Sequence, residues 1–265
     1  MSLRGLARGA VNRVLSHGGV QLVRGGAPHD WSDTRTFIPL EKTLAAAKSA
    51  GLSVGDYVDT VMNKHPAATQ KTIDLMTSLG VFASPIETVV EIGPGSGRYL
   101  AKTVAACHPV RYEIYETAGP WIEYLRAHHE VILQPTDGRS LAATADASAD
   151  LVQAHKVFDG IPFLPTLCYW AEMARVTKPG GHVVFDAITE DCLDFTTAER
   201  WRTSGIDNGA YPAVIPRTLV VSAFERLGFD LLGTPPIPIG PGVAHLFVFR
   251  KGSGGMAALQ PSAAL

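Results

Sequence analysis

The segment Val89-Val90-Glu91-Ile92-Gly93-Pro94-Gly95-Ser96-Gly97-Arg98-Tyr99-Leu100 constrains the chain more than any other. An apolar run ends in an acid, enters three glycines at alternate positions, and continues into a stretch that reads as helix. Glycine tolerates positive φ and lets a ligand reach the backbone with no Cβ in the way. The predicted unit is a buried strand, a ligand-facing turn and a helix. The pattern then repeats. Strands are predicted at Thr88–Ile92, Val110–Tyr115, Val131–Gln134, Asp150–Ala154, His182–Ala187, Asp230–Leu232 and Val243–Arg250. Helices fall between them at Tyr99–Cys107, Trp121–His128, Leu164–Val176 and Arg217–Leu227. Strands alternating with helices imply an α/β fold with a mainly parallel sheet covered on both faces. Burial on both faces also explains why TVVEI and HVVFD lack clean polar/apolar alternation.

Residues 1–85 read differently, as a helical and loop-rich extension. Thr43–Ala50 and Val54–Met62 are helix-prone, and a third helix is expected between Pro66 and Gly80, with Ile73, Met76 and Leu79 on one face. The expected organisation is thus a 1–85 lid segment, an 86–251 ligand-binding domain, and a 252–265 tail without order. A hydrophobic share of 46% fits a packed globule, and a net charge of −2 supplies no field that would gather nucleic acid. Arg4, Arg8, Arg13 and Arg24 interrupt the N-terminal segment, which reads as a packing or partner-facing element rather than a signal peptide. No apolar run approaches the roughly 20 residues of a membrane span. Cys107, Cys168 and Cys192 lie far apart without a CxxC pair, so a reducing cytoplasm is the simpler assignment.

The spacing Gly93-x-Gly95-x-Gly97 differs from the GxGxxG that seats a pyrophosphate, and Glu91 stands just before it. A carboxylate there suits a cationic cofactor better than a diphosphate. On these residues the chain resembles the class I S-adenosylmethionine-dependent methyltransferases. That resemblance implies a Rossmann-like seven-stranded sheet with the cofactor over the strand ends, and Glu91, Gly93, Gly95 and Gly97 in contact with it. Glu116 ends the second strand, 23 residues after Gly93, where an acid accepts hydrogen bonds from a ribose diol. Asp137-Gly138 follows the third strand; the family places an adenine-binding acid here, and a plain Asp-Gly turn is the competing reading. Strand four runs into His155 and Asp159, where cofactor and acceptor meet in the family. His155 is expected as a general base and cofactor neighbour, with Asp159 orienting it or binding a metal; mere packing of the histidine is the alternative.

Pro179-Gly180-Gly181 is read as a turn with a structural role only. Asp186, Thr189, Glu190 and Asp191 either line the acceptor pocket or form a solvated loop. His29 and His65 are candidates to reach the cleft, whereas His182 and His245 read as packing residues. Tyr57, Trp201 and Tyr211 are candidates to stack on an acceptor. Taken whole, the chain is similar to actinobacterial methyltransferases that act on sugars. This narrower resemblance implies O-methylation of a mannoside hydroxyl, a cytoplasmic enzyme, a homodimer and a divalent metal such as magnesium; Asp159 and Asp186 are candidate carboxylates for it, although no ligand set in the sequence specifies that metal. A phenolic, lipid or amine acceptor, or a non-catalytic cofactor-binding subunit, stays open.

Overall fold

A computed structural model describes residues 38–203 and 212–253. The expectations for His29, Tyr211, the arginine-bearing first residues and the tail beyond Ser253 lie outside the described residues.

Five strands run parallel: β1 (Thr88–Ile92), β2 (Arg111–Tyr115), β3 (Ile132–Leu133), β4 (Ala149–Ala154) and β5 (Thr177–Thr189). Two-residue β6 (Val214–Ile215) extends the end of β5. β7 (Phe229–Gly233) and β8 (Pro236–Ile239) both pair antiparallel with β9 (Gly242–Lys251), which itself lies antiparallel to β5. The main ladder has seven strands in the order β3-β2-β1-β4-β5-β9-β7. This is a Rossmann-like α/β sheet whose order reverses between β1 and β4. Open sheets of this kind bind ligands at such a point, beyond the carboxyl ends of the strands.

Helices α1 (Leu40–Ala50), α2 (Val54–Tyr57) and α3 (Ala68–Ser78) precede the sheet, with a π-helical turn at Val58–Met62. The strands then alternate with α4 (Arg98–Cys107), α5 (Gly119–His128), α6 (Phe163–Val176), α7 (Phe195–Thr203) and α8 (Arg217–Arg226). Period-two alternation along β1 divides the core. Val90 and Ile92 join Trp170, Phe185, Phe224 and Phe249 under α6 and α8, while Val89 joins Ile73, Leu100 and Leu125 under α3, α4 and α5. The first of these clusters is an aromatic stack, with the Phe224 and Phe249 rings 4.4 Å apart at 14°.

One element departs from expectation. Pro179-Gly180-Gly181 does not precede the fifth strand but bulges out of it. Ala149 pairs with Thr177 and Leu151 with His182, so three extra residues of β5 are accommodated there. Among the described residues, no helix is long and apolar enough to cross a membrane.

Candidate functional site

The glycine loop winds through three positive-φ residues, with φ of 62° at Gly93, 52° at Gly95 and 74° at Gly97. They do different work. A Cβ on Gly93 would stand 2.8 Å from Val157 Cγ2, and one on Gly97 would stand 2.7 Å from Leu125 Cδ2. Those two positions are glycine because the protein itself crowds them. Gly95 meets only the Gly93 carbonyl, at 4.0 Å, and so faces open space.

Glu116 lies against this loop. Its Oε2 accepts the Gly95 N–H at 2.8 Å, and its Oε1 accepts those of Thr117 and Ala118 at 2.7 and 2.9 Å. Burial raises its pKa, and the three N–H donors act against that rise. A carboxylate has about four acceptor directions, so one remains free and a second opens if the Gly95 N–H turns to a ligand. Beside it, Ile38, Pro39 and Leu40 face Thr117–Trp121 across a cavity of about 290 Å³, closed at one side by the Trp121 Nε1–H donating to Ile38 O at 2.9 Å.

Glu91 is placed differently from the expected cofactor contact. It alternates with Val90 and Ile92, so its carboxyl turns beneath α4 and is 1% exposed. There Tyr112 Oη donates to Oε2 at 2.5 Å, and Gln153, itself bonded to Tyr112 and Thr103, completes a buried polar network. Burial raises the Glu91 pKa to about 7. The folded state therefore favours the protonated acid, a contribution present below the ordinary carboxyl value of 4.5 and lost as pH rises through 7. Wild type is expected to lose on the order of 2–3 kcal/mol between those limits, and Glu91→Gln to lose none of it. Urea unfolding at both pH values checks this; equal pH slopes in the two proteins would refute it.

Asp137 is exposed, and its carboxylate holds its own turn. Oδ1 accepts the Arg139 and Ser140 N–H groups at 3.0 and 2.7 Å, and Oδ2 accepts Ser140 Oγ at 3.0 Å. These backbone bonds lower its pKa. Gly138 follows at φ 78°, its N–H on Thr136 Oγ1 at 3.1 Å. The local geometry is that of the plain Asp-Gly turn.

At the end of β4, His155 has a fully buried side chain, with both ring nitrogens lacking a hydrogen-bond partner among the described residues. Tyr99 stacks on one face of the ring, 4.1 Å away at 14°. Nδ1 lies 3.4 Å from Asp186 Oδ2, a long contact that selects the Nδ1–H tautomer and leaves Nε2 basic. Burial lowers the imidazole pKa, so the ring is neutral near pH 7, while Asp186 pulls in the opposite direction. The acid that faces the ring is thus Asp186. Lys156 explains how Asp186 is held: its backbone adopts φ 57°, rare for a residue with a Cβ, and points its N–H at both carboxylate oxygens, 3.1 and 3.2 Å away. Burial alone would raise the Asp186 pKa, but the Lys156 charge, His155 and that N–H lower it. Asp159 has a different character. Burial and the neighbouring Asp186 charge raise its pKa to about 6, and its carbonyl accepts the Ala213 N–H at 2.7 Å.

The remaining candidates are mostly structural. Glu190 Oε2 accepts the Arg217 N–H at 2.7 Å at the start of α8, and Asp191 pairs with the Arg217 guanidinium at 2.9 Å. His65 Nε2 contacts Gly240 O at 3.0 Å. Among the described residues, Asp191, Cys192 and His245 have donor atoms close enough to share an ion. The Thr189 hydroxyl stands at its centre, donating to Asp191, 2.8 Å from His245 Nδ1 and 3.3 Å from Cys192 Sγ. That one hydroxyl satisfies all three, in the place an ion would need.

Residues 90–185, spanning the glycine loop, Glu116 and His155, match the family model described as a methyltransferase domain. Over those residues the chain is similar to a methyltransferase domain. Over 149 residues the chain is 26% identical to a malonyl-[acyl-carrier protein] O-methyltransferase from Hahella chejuensis, covering 55% of this chain and 51% of that protein. The chain therefore spans about half the length of the curated relative it matches. An O-methyltransferase family protein from Burkholderia thailandensis shares the fold at a TM-score of 0.55 and 19% identity, over 70% of this chain and 57% of that one. The N-methyltransferase NodS from Bradyrhizobium japonicum, solved with S-adenosyl-L-homocysteine, does so at 0.51 and 16%, over 69% and 86%. The matched stretch holds the crowded glycines, Glu116 and His155, and Asp186 follows directly after it.

Proposed function

We propose that the protein is an S-adenosylmethionine-dependent O-methyltransferase acting on a neutral hydroxyl, with His155 as general base. One observation carries this reading: a buried imidazole at the carboxyl end of β4 whose Nε2 has no partner among the described residues and whose Nδ1 faces Asp186 at 3.4 Å. Buried polar atoms without partners are rare, and such groups in native structures call for a ligand or a catalytic role.

The nucleotide end of the donor fits the residues present. Gly95 faces open space, and Glu116 keeps an acceptor direction free for a ribose hydroxyl. Gly93 and Gly97 shape the loop, and Gly138, in the turn after β3, offers its carbonyl for the adenine. S-adenosylmethionine, when bound, supplies an electrophilic methyl group on a sulfonium. The chain's own part is proton removal: as the acceptor oxygen forms its bond to carbon, its proton passes to His155 Nε2. Asp186 then stabilises the imidazolium through Nδ1–H, and the Lys156 N–H keeps Asp186 in register. His155 is sealed, so acceptor entry requires movement of the segments above it.

A carboxylate acceptor, as the name of the Hahella relative suggests, is the second reading. Carboxylates need no proton removed. They would also enter beside Asp159 and Asp186, where the two nearby cations are occupied: Lys156 Nζ by Pro238 O and Asp186, Arg98 by Asp59. Neutral hydroxyls avoid that repulsion. Within the hydroxyl class we propose a sugar, a mannoside at the finest, because acids and imidazole hydrogen-bond a polyol well.

The test is methyl transfer to mannosides, phenols and malonyl thioesters, with and without magnesium, at roughly pH 5 to 9. Hydroxyl acceptors should turn over, at a rate flat near neutrality and falling as His155 protonates below the ordinary value of 6.5. Turnover of the carboxylate alone, independent of pH, sinks the proposal.

A further inference from the structure

The N-terminal helices grip the domain at the residue that follows the glycine loop. Asp59, in the π-helical turn, is 2% exposed. Its Oδ2 accepts the Thr69 N–H at 2.8 Å, and its Oδ1 accepts Thr69 Oγ1 at 3.0 Å and Arg98 Nη1 at 2.6 Å. Gly55 approaches the same residue so closely that a Cβ on it would meet Arg98 Cβ at 2.9 Å. Arg98 opens α4 directly after Gly97, and its guanidinium lies over the Tyr99 ring, 5.0 Å from the centroid. The opposite side of that sequence of contacts is the Tyr99 stack on His155.

We propose that Asp59 is a positioning residue: through Arg98 it fixes both the glycine loop where the cofactor binds and the Tyr99 ring that backs the base. Breaking a buried ion pair strands its partner, because an unpaired charge in low dielectric is costly. Without Asp59 the guanidinium must turn toward water, which releases the first turn of α4 and withdraws the cation from Tyr99. π-Helical turns are frequent at functional sites, and this one carries the acid. The inference rests on the cofactor reading of the loop.

The experiment measures S-adenosylhomocysteine affinity by calorimetry, the ring-current shift of the His155 imidazole protons by NMR, and the unfolding midpoint. Asp59→Asn and Arg98→Gln are each expected to weaken affinity about 10-fold, and the double variant no further, since both break one link. The ring-current shift should shrink in all three. A residue that only stabilises the fold would lower the midpoint and leave the other two readings untouched. Unchanged affinity and ring current in folded Asp59→Asn, or losses that multiply in the double variant, overturn the proposal. Should Asp59→Asn not fold, Thr69→Val removes one bond from the same carboxylate and is read in the same way. Wild type that fails to bind S-adenosylhomocysteine would instead overturn the cofactor reading.

Discussion

Replacing His155 by alanine is expected to lower the methyl-transfer rate about 100- to 10,000-fold, the usual contribution of a positioned base. Affinity for S-adenosylhomocysteine should change little, because the ring faces Tyr99 and Asp186 rather than the glycine loop. Asp186→Asn separates orientation from basicity. It leaves Nε2 in place but withdraws the carboxylate that favours the imidazolium, so the plateau rate falls and the acid limb moves to still lower pH. The direction is fixed by the two opposing influences on His155: burial lowers its pKa and Asp186 raises it, so removing Asp186 leaves burial unopposed. Rate against pH for both variants, beside calorimetry with S-adenosylhomocysteine, checks the pair. Full turnover by His155→Ala would leave the imidazole as a packing residue stacked on Tyr99.

The fold was legible because its strands are buried on both faces and therefore stand out as apolar runs between amphipathic helices. β6 and β8 were not, since two to four residues at a sheet edge carry no periodic signal. The bulge at Pro179-Gly180-Gly181 looked like a turn because a bulge and a turn use the same residues. In the site, Glu116 lay where strand length and the family pattern put it, against Gly95. The direction of the Glu91 side chain is also legible: counting by twos from Val89 sends it to the α4 face of β1, toward Tyr112. From the sequence Asp186 is a pocket acid and a candidate metal carboxylate. What pairs it with His155 is the register of β4 with β5, and the positive φ of Lys156, neither of which a sequence displays. Asp59 gave no signal at all, because its partner Arg98 is 39 positions away.

The three loop glycines should respond differently to alanine, and the contrast tests which of them faces a ligand. All three have positive φ, so each alanine carries a backbone cost of roughly 1–2 kcal/mol. Gly97→Ala adds a methyl 2.7 Å from Leu125 Cδ2, inside the core beneath α5. Overpacking of that kind costs about 1–3 kcal/mol more, and it should appear in urea unfolding as a lowered midpoint. Gly95→Ala adds its methyl to open space, so its stability loss should stop at the backbone cost. Its binding loss should be much larger. The methyl occupies volume beside Glu116 that the ligand needs, and an αL alanine resists turning its N–H from the carboxylate toward the ligand. A drop in S-adenosylhomocysteine affinity of about 100-fold or more is expected, near 3 kcal/mol. If Gly95→Ala binds S-adenosylhomocysteine as wild type does, the open space at Gly95 is not the cofactor's. If Gly97→Ala is instead as stable as Gly95→Ala, the crowding by Leu125 is relieved by a rotamer change, and Gly97 serves the backbone conformation alone.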